Sequence, residues 1–116
     1  MYRQFTKKSY RTKSKYKNKT QMYSGMRFDS IKEANHAEEL DWRIKAGEIK
    51  EWTGQYKISL DINERHITNY FIDFKVTMAD GEIQYHEVKG FETDVWRLKW
   101  KLTEALYPDY NLIVIK

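Results

Sequence analysis

Two carboxylates and one ammonium group stand at strand positions where packing would favour apolar side chains: Asp73 in YFIDFKV, and Glu87 and Lys89 in HEVKG. A period of two places Ile67, Asn69, Phe71, Asp73 and Lys75 on one face of the first strand, with Tyr70, Ile72, Phe74 and Val76 on the other. In the second strand Ile83, Tyr85, Glu87 and Lys89 share a face, while Gln84, His86 and Val88 point away. Asp80-Gly81 between them is a strong hairpin signal, and its register brings Asp73 across from the Glu87–Lys89 pair. Two carboxylates at close range repel unless one is protonated or a cation lies between them. Mg²⁺, or Mn²⁺ in its place, is the hard cation that suits a few oxygen ligands with retained waters. Such an ion supplies Lewis-acid activation of a phosphoryl oxygen and a deprotonated water as nucleophile. Lys89 would then stabilise developing charge on the phosphate or orient the water. The chemistry expected from this trio is metal-dependent phosphodiester hydrolysis. A solvated salt bridge of Glu87 with Lys89 or Lys75 fits the same spacing, because exposed antiparallel faces carry such pairs.

The elements that would position the trio follow from local signals. Met26 to Phe28 reads as a short extended segment. Ser30 and Glu33 form a Ser-x-x-Glu capping box opening a helix, with Ile31, Ala34, Leu40 and Ile44 near one face and Gly47 at its end. Ile49 to Trp52 reads as a short strand, and Tyr56, Ile58, Leu60 and Ile62 alternate in a second stretch. Asn63 to His66 is a turn, and the hairpin strands run from about Ile67 to Thr77 and from about Glu82 to Lys89. Thr93 or Asp94 caps a second helix with Val95, Leu98, Leu102 and Leu106 on one stripe, stopped by Pro108. NLIVIK closes the chain as an apolar run suited to a strand buried on both faces. The fold class expected is α/β, or an α+β mixed sheet: a central sheet flanked by helices, in the order α-β-β-β-α-β.

Charge divides the chain of 116 residues unevenly. Residues 1–20 hold eight basic groups and no acid, so 13 basic and 17 acidic residues remain for the rest. The expected organisation is a basic, flexible arm over residues 1–25 and one domain over 26–116. Lys7, Lys8, Arg11, Lys13, Lys15, Lys17 and Lys19, interleaved with Tyr2, Phe5, Tyr10 and Tyr16, suit phosphate contact and base stacking; a solubilising tail is the plainer reading. In the second helix Arg97, Lys99 and Lys101 could touch a duplex backbone or form a solvated face. Trp96 and Trp100, four apart, suit core or a dimer interface. His36, His66 and His86 lack ligand spacing, and no Cys is present, so a zinc site is not expected. Gly-rich phosphate loops and nucleophile elbows are lacking too. The N-terminus has no apolar leader-like run and nothing reaches membrane-span length, so a cytoplasmic protein is expected.

Asp73 followed by Glu87-Val88-Lys89 on the next strand resembles the PD-(D/E)xK nuclease superfamily, with Ile72-Asp73 lacking the proline of the motif's name. FDSIKEANHAEELDWRIKAGEIKEW, YFIDFKV and EVKGFETDVWRLKWKLTEALYP resemble more closely a family of small phage and prophage proteins of this nuclease type. The resemblance spans Met26 to the C-terminus and implies a restriction-endonuclease-like core. It implies that Asp73 and Glu87 hold a metal and that Lys89 is the catalytic lysine. Glu33 matches the first-helix acid that reaches the metal directly or through water, although N3 of a capping box is a structural position in its own right. Gln55 matches a recurrent glutamine at the margin of related sites; as an ordinary loop residue it would need no role. The expected function is a Mg²⁺-dependent phage DNA endonuclease acting on branched or duplex DNA. By analogy it would be a homodimer resolving Holliday junctions in recombination, repair or packaging. The alternative is a non-catalytic DNA-binding or packaging and head-assembly accessory protein that keeps the fold.

Overall fold

Ser30 opens the first helix with its side-chain oxygen accepting the Glu33 backbone N–H at 3.1 Å, the N-cap half of the capping box. This helix opens the main domain of the computed structural model, which describes residues 21–23, 26–28 and 30–116. Strands β1 (Gln21–Tyr23) and β2 (Met26–Phe28) pair antiparallel ahead of it. The point between residues 25 and 26, where the arm and the domain are expected to meet, falls at the start of the second of these two paired strands. Lys7, Lys8, Arg11, Lys13, Lys15, Lys17 and Lys19 lie outside the described residues.

Helix α1 spans Ile31–Lys45 and stops at Gly47, whose left-handed backbone (φ 84°) is open to glycine without strain. Then come β3 (Ile49–Ile62), β4 (Arg65–Met78), β5 (Ile83–Val88), α2 (Asp94–Leu106) and β6 (Asn111–Ile115). The main sheet has the order β3-β4-β5-β6, antiparallel except for the β5–β6 pair, which α2 connects in parallel. The molecule is therefore α+β, with a four-stranded mixed sheet and the expected α-β-β-β-α-β order. Among the described residues no helix is long and apolar enough to cross a membrane.

The stretches Ile49 to Trp52 and Tyr56 to Ile62, expected as separate strands, form one 14-residue strand, β3. It joins β4 through a two-residue turn in which Asn63 and Glu64 both have positive φ, the twist that suits a tight hairpin. The turn is shorter than Asn63 to His66, and Arg65 and His66 already belong to β4. Gly81 (φ 96°) makes the second hairpin turn, braced by the Asp80 carboxylate accepting from Glu82 N–H at 2.9 Å.

Two apolar clusters flank the sheet. Ala34, Ala37 and Leu40 of α1 pack on Trp52, Phe74, Val76 and Val88, and the Trp52 indole donates to the buried Asp41 carboxylate at 2.9 Å. The other cluster sets Ile58, Tyr70, Ile72 and Tyr85 under Trp96, Trp100, Leu102 and Leu106 of α2. Along β3 and β4 the allegiance changes from α1 to α2 between Trp52 and Tyr56, and between Phe74 and Ile72. Gln55, left-handed at φ 53°, and Asp73 lie opposite each other at that point, between the pairs Gly54–Phe74 and Tyr56–Ile72.

Two expectations are corrected. Val95 and Leu98 are 62% and 60% exposed, so only Leu102 and Leu106 of the expected α2 stripe pack inward, joined there by Trp96, Trp100 and buried Thr103. Indole rings bury more apolar area than Val or Leu, so turning Trp96 and Trp100 inward covers more apolar surface. β6 is not buried on both faces: it is the sheet edge, and Leu112 to Ile115 are only half-buried.

Candidate active site

The β4–β5 ladder runs from Thr77–Ile83 to Phe74–His86, and the next opposed residues are Asp73 and Glu87. Here the acids' own side chains take over from the backbone ladder. The Asp73 carboxylate accepts the Val88 N–H at 2.9 Å, and the Glu87 carboxylate accepts the Asp73 N–H at 3.4 Å. Both acids are buried, at 8% and 5% exposure. Lys89 places its ammonium 3.4 Å from Glu87 Oε2 and 4.8 Å from the Trp96 ring centre. The hairpin trio expected from sequence is therefore assembled: its two acids are buried, and Lys89, half-buried, pairs with Glu87 from the margin.

Electrostatics make this a costly arrangement for bare anions. Burial, then the Glu33 and Glu87 carboxylates, push the Asp73 pKa well above the usual range, with only the Val88 N–H and Lys89 opposing. Burial also raises Glu87, against the Tyr70 hydroxyl, Lys89 and the Asp73 N–H. The influence of Glu33 on Asp73 puts the first-helix acid at the same site, because α1 packs over this end of the sheet. Glu33 and Lys89 line a pocket of about 390 Å³ together with Ser30 and Phe91. On the α2 side a groove of about 290 Å³ is lined by Glu87, Lys89, Tyr70, Trp96 and Lys99. Lys89 stands between the two.

Could these residues hold a metal? Among the described residues no three His, Asp or Glu side chains gather tightly enough for a preformed cage. The donor set is instead two facing carboxylates with a third nearby, which is the sparse ligation that Mg²⁺ accepts while keeping waters. A divalent cation would also offset the burial that raises both proton affinities and the repulsion of Asp73 by its neighbouring carboxylates. The residues fit the ion on both counts.

The remaining expected residues divide. Gln55 lies across from Asp73 in the pairing, at the changeover between the two clusters. Of the helix cations, Lys99 lines the groove beside Glu87. Arg97 pairs with Asp94 and Glu92, and with Lys101 it lines a separate depression around Trp100. The α2 cations therefore do not form one strip.

Two site residues go beyond what the sequence signals. Strict alternation puts Tyr70 on the face opposite Asp73, yet it lines the α2-side groove with Glu87, and its hydroxyl accepts the Trp96 indole N–H at 3.0 Å. The changeover at Gln55 and Asp73 carries Tyr70 to the α2 side, and pleat counting assumes an unbroken alternation. Trp96, expected in the core or at a dimer interface, is both packing and site wall. Under α1, His36 Nε2 and His86 Nδ1 form a buried hydrogen bond of 2.9 Å, a meeting that residue spacing does not signal.

This is an α+β domain with a buried carboxylate pair and a lysine on one sheet hairpin. Over residues 13–116 the chain matches the family described as "Protein of unknown function (DUF1064)", and it belongs to that family. The match begins within the basic arm. No curated protein and no solved structure matches the chain.

Proposed function

We propose that this chain is a Mg²⁺-dependent nuclease that hydrolyses phosphodiester bonds of DNA. The observation that carries the reading is the apposition of buried Asp73 and Glu87, with Lys89 against Glu87 and Glu33 acting on Asp73 from α1. The resemblance to PD-(D/E)xK nucleases supports it through the same three residues in the same strand order. In this reading Asp73 and Glu87 bind the metal, Glu33 completes the shell, and Gln55 borders it. The ion's contribution when bound is Lewis-acid activation of the phosphate and of the attacking water. Lys89, freed from Glu87, places a positive charge beside the scissile phosphate, while Lys99 and the arm hold neighbouring phosphates. Branched DNA such as a four-way junction is the substrate we favour. A homodimer suits it, because one site cuts one strand and paired nicks need two. A phage or prophage protein acting in a bacterial cytoplasm fits this role.

The eight basic residues ahead of position 21 carry a second reading, a DNA-binding or packaging and head-assembly protein that keeps the fold without cutting. One experiment separates the two. Purified protein is incubated with a four-way junction, a duplex and a single strand, in Mg²⁺, Mn²⁺ or EDTA, alongside Asp73→Ala and Lys89→Ala. Cleavage confined to the metal-containing wild-type reactions is expected. Cleavage that persists in EDTA or in both variants, or no cleavage under any condition, would remove the nuclease reading.

A further inference from the structure

On the α2 side, the groove lined by Glu87, Lys89 and Lys99 also contains the ring of Phe71 and the methyl groups of Val95. Phe71 is 51% exposed although its neighbours in β4, Tyr70 and Ile72, are buried, and Val95 is exposed as well. Neither belongs to the two apolar clusters that flank the sheet. The groove's other rings are already engaged. The Tyr70 hydroxyl accepts the Trp96 indole N–H, and Trp96 lies 5.3 Å from the Trp100 ring with the Lys89 ammonium over its face. Phe71 is thus the one exposed ring of the groove. β4 also continues past the end of the β4–β5 ladder, from Asp73 back to Arg65, so β5 does not pair with this stretch.

We infer that Phe71 is a base-stacking residue: its ring takes the face of an unpaired DNA base flanking the phosphate at Lys89, so the site selects strands whose bases are out of the stack. The place of that phosphate rests on the nuclease reading above. A flat apolar ring beside two ammonium groups matches the two parts of a nucleotide, a base with a π-face and a phosphate with negative charge. A purely apolar ligand would leave Lys89 and Lys99 unanswered, and a bare phosphate would leave Phe71 and Val95 facing water. Inside a duplex each base face is covered by its neighbours, and exposing one means breaking the stack. At a branch point or in a single strand that cost is absent. Phenylalanine offers the base no hydrogen-bonding group, so selection is for unpaired structure and not for base identity. The acids and Lys89 meet any phosphodiester alike; Phe71 separates branched from paired substrates.

The test measures the affinity of the full-length chain in EDTA, by fluorescence anisotropy, for a forked DNA with two unpaired thymidine arms and for the fully paired duplex of the same length. Wild type is compared with Phe71→Ala, Phe71→Leu, Phe71→Tyr and Trp42→Ala, each checked for folding by circular dichroism. Phe71→Leu keeps apolar bulk and loses the flat face, and Phe71→Tyr keeps the face. Trp42→Ala removes another exposed aromatic, one outside the groove. Wild type should prefer the fork. Phe71→Ala and Phe71→Leu should each bind the fork about tenfold more weakly, the scale of stacking one base, with duplex affinity unchanged. Phe71→Tyr and Trp42→Ala should behave like wild type. A wild type that binds the two DNAs alike, unchanged fork affinity in Phe71→Ala and Phe71→Leu, or an equal loss on the duplex would overturn the inference. Should Phe71→Ala not fold, Phe71→Leu decides alone. Incubating the same proteins and DNAs in Mg²⁺ tests the reading beneath it. If wild type cuts while the Phe71 variants keep the fork preference, the stacking role is wrong and the nuclease stands. If wild type cuts neither DNA yet the variants lose the fork, the nuclease reading is wrong and the stacking site stands.

Discussion

At Asp73, burial and two neighbouring carboxylates favour the protonated acid over the anion. A carboxyl whose folded-state pKa exceeds its unfolded value near 3.8 loses stability for the fold as pH rises above that value, since the folded chain must carry a buried charge or retain a proton. Glu87 acts with the same sign. His86 acts with the opposite sign, because burial beside His36 lowers it to about 4. Its contribution is complete above 6.5, its unfolded value, and is lost as pH falls toward 4. From pH 6.5 to about 8 the acids therefore stand alone. Denaturant unfolding in EDTA should show stability falling as pH rises across this window, and Mg²⁺ should flatten the slope by neutralising the pair. Asp73→Asn keeps an acceptor for the Val88 N–H and removes the charge. It should raise metal-free stability near neutral pH by at least about 1.4 kcal/mol, the worth of one pKa unit. The same variant should gain nothing from Mg²⁺. A flat profile in EDTA, or an Asp73→Asn variant still stabilised by Mg²⁺, would contradict this account.

On the scale of elements, α1 has two duties at its first turn, and Glu33 stands in both. Its backbone N–H donates to Ser30, and its carboxylate bears on Asp73. Substitutions can separate them. Ser30→Ala removes the cap and should cost about 1 kcal/mol in thermal or denaturant unfolding. Glu33→Gln retains the residue type that a capping box accepts, so stability should hold or rise. Mn²⁺ affinity should fall in this variant, because only the charge has gone. A Glu33→Gln protein that loses stability like Ser30→Ala and binds Mn²⁺ normally would assign Glu33 to the helix alone. The caps at Ser30 and Thr93, the Asp80-Gly81 turn and the Asp73–Glu87 apposition are legible in sequence, because each depends on residues close in chain or on one hairpin register. The position of Tyr70 is not, because it depends on a changeover at Gln55 and Asp73 that leaves the β3–β4 pairing unshifted on either side. Nor is the inward face of α2, where two apolar stripes compete at helical spacing and only the tertiary partner selects between Leu98 and Trp96.

Across the whole molecule, the excess of basic charge and the candidate site are separated along the chain. Eight basic residues precede position 21, while residues 21–116 carry four more acids than bases (17 against 13). The site gathers three carboxylates, which by themselves repel a phosphate backbone. In the proposed function, association with DNA would draw on the arm, and turnover on a metal that neutralises the acids. Lys7, Lys8 and Arg11 also precede the residues matched by the family, so their replacement leaves the matched region intact. Changing these three to Gln should lower the slope of log affinity against log salt by up to about 2.7, roughly 0.9 for each duplex phosphate no longer neutralised. Fluorescence anisotropy with a labelled four-way junction in EDTA buffer measures that slope without cleavage. Single-turnover cleavage at saturating protein in Mg²⁺ should stay at the wild-type rate, because none of the three reaches the acids in the proposed mechanism. An unchanged salt slope would mean that the arm does not grip phosphates. A reduced cleavage rate at saturation would instead draw the arm into the chemistry, since affinity no longer limits the reaction there.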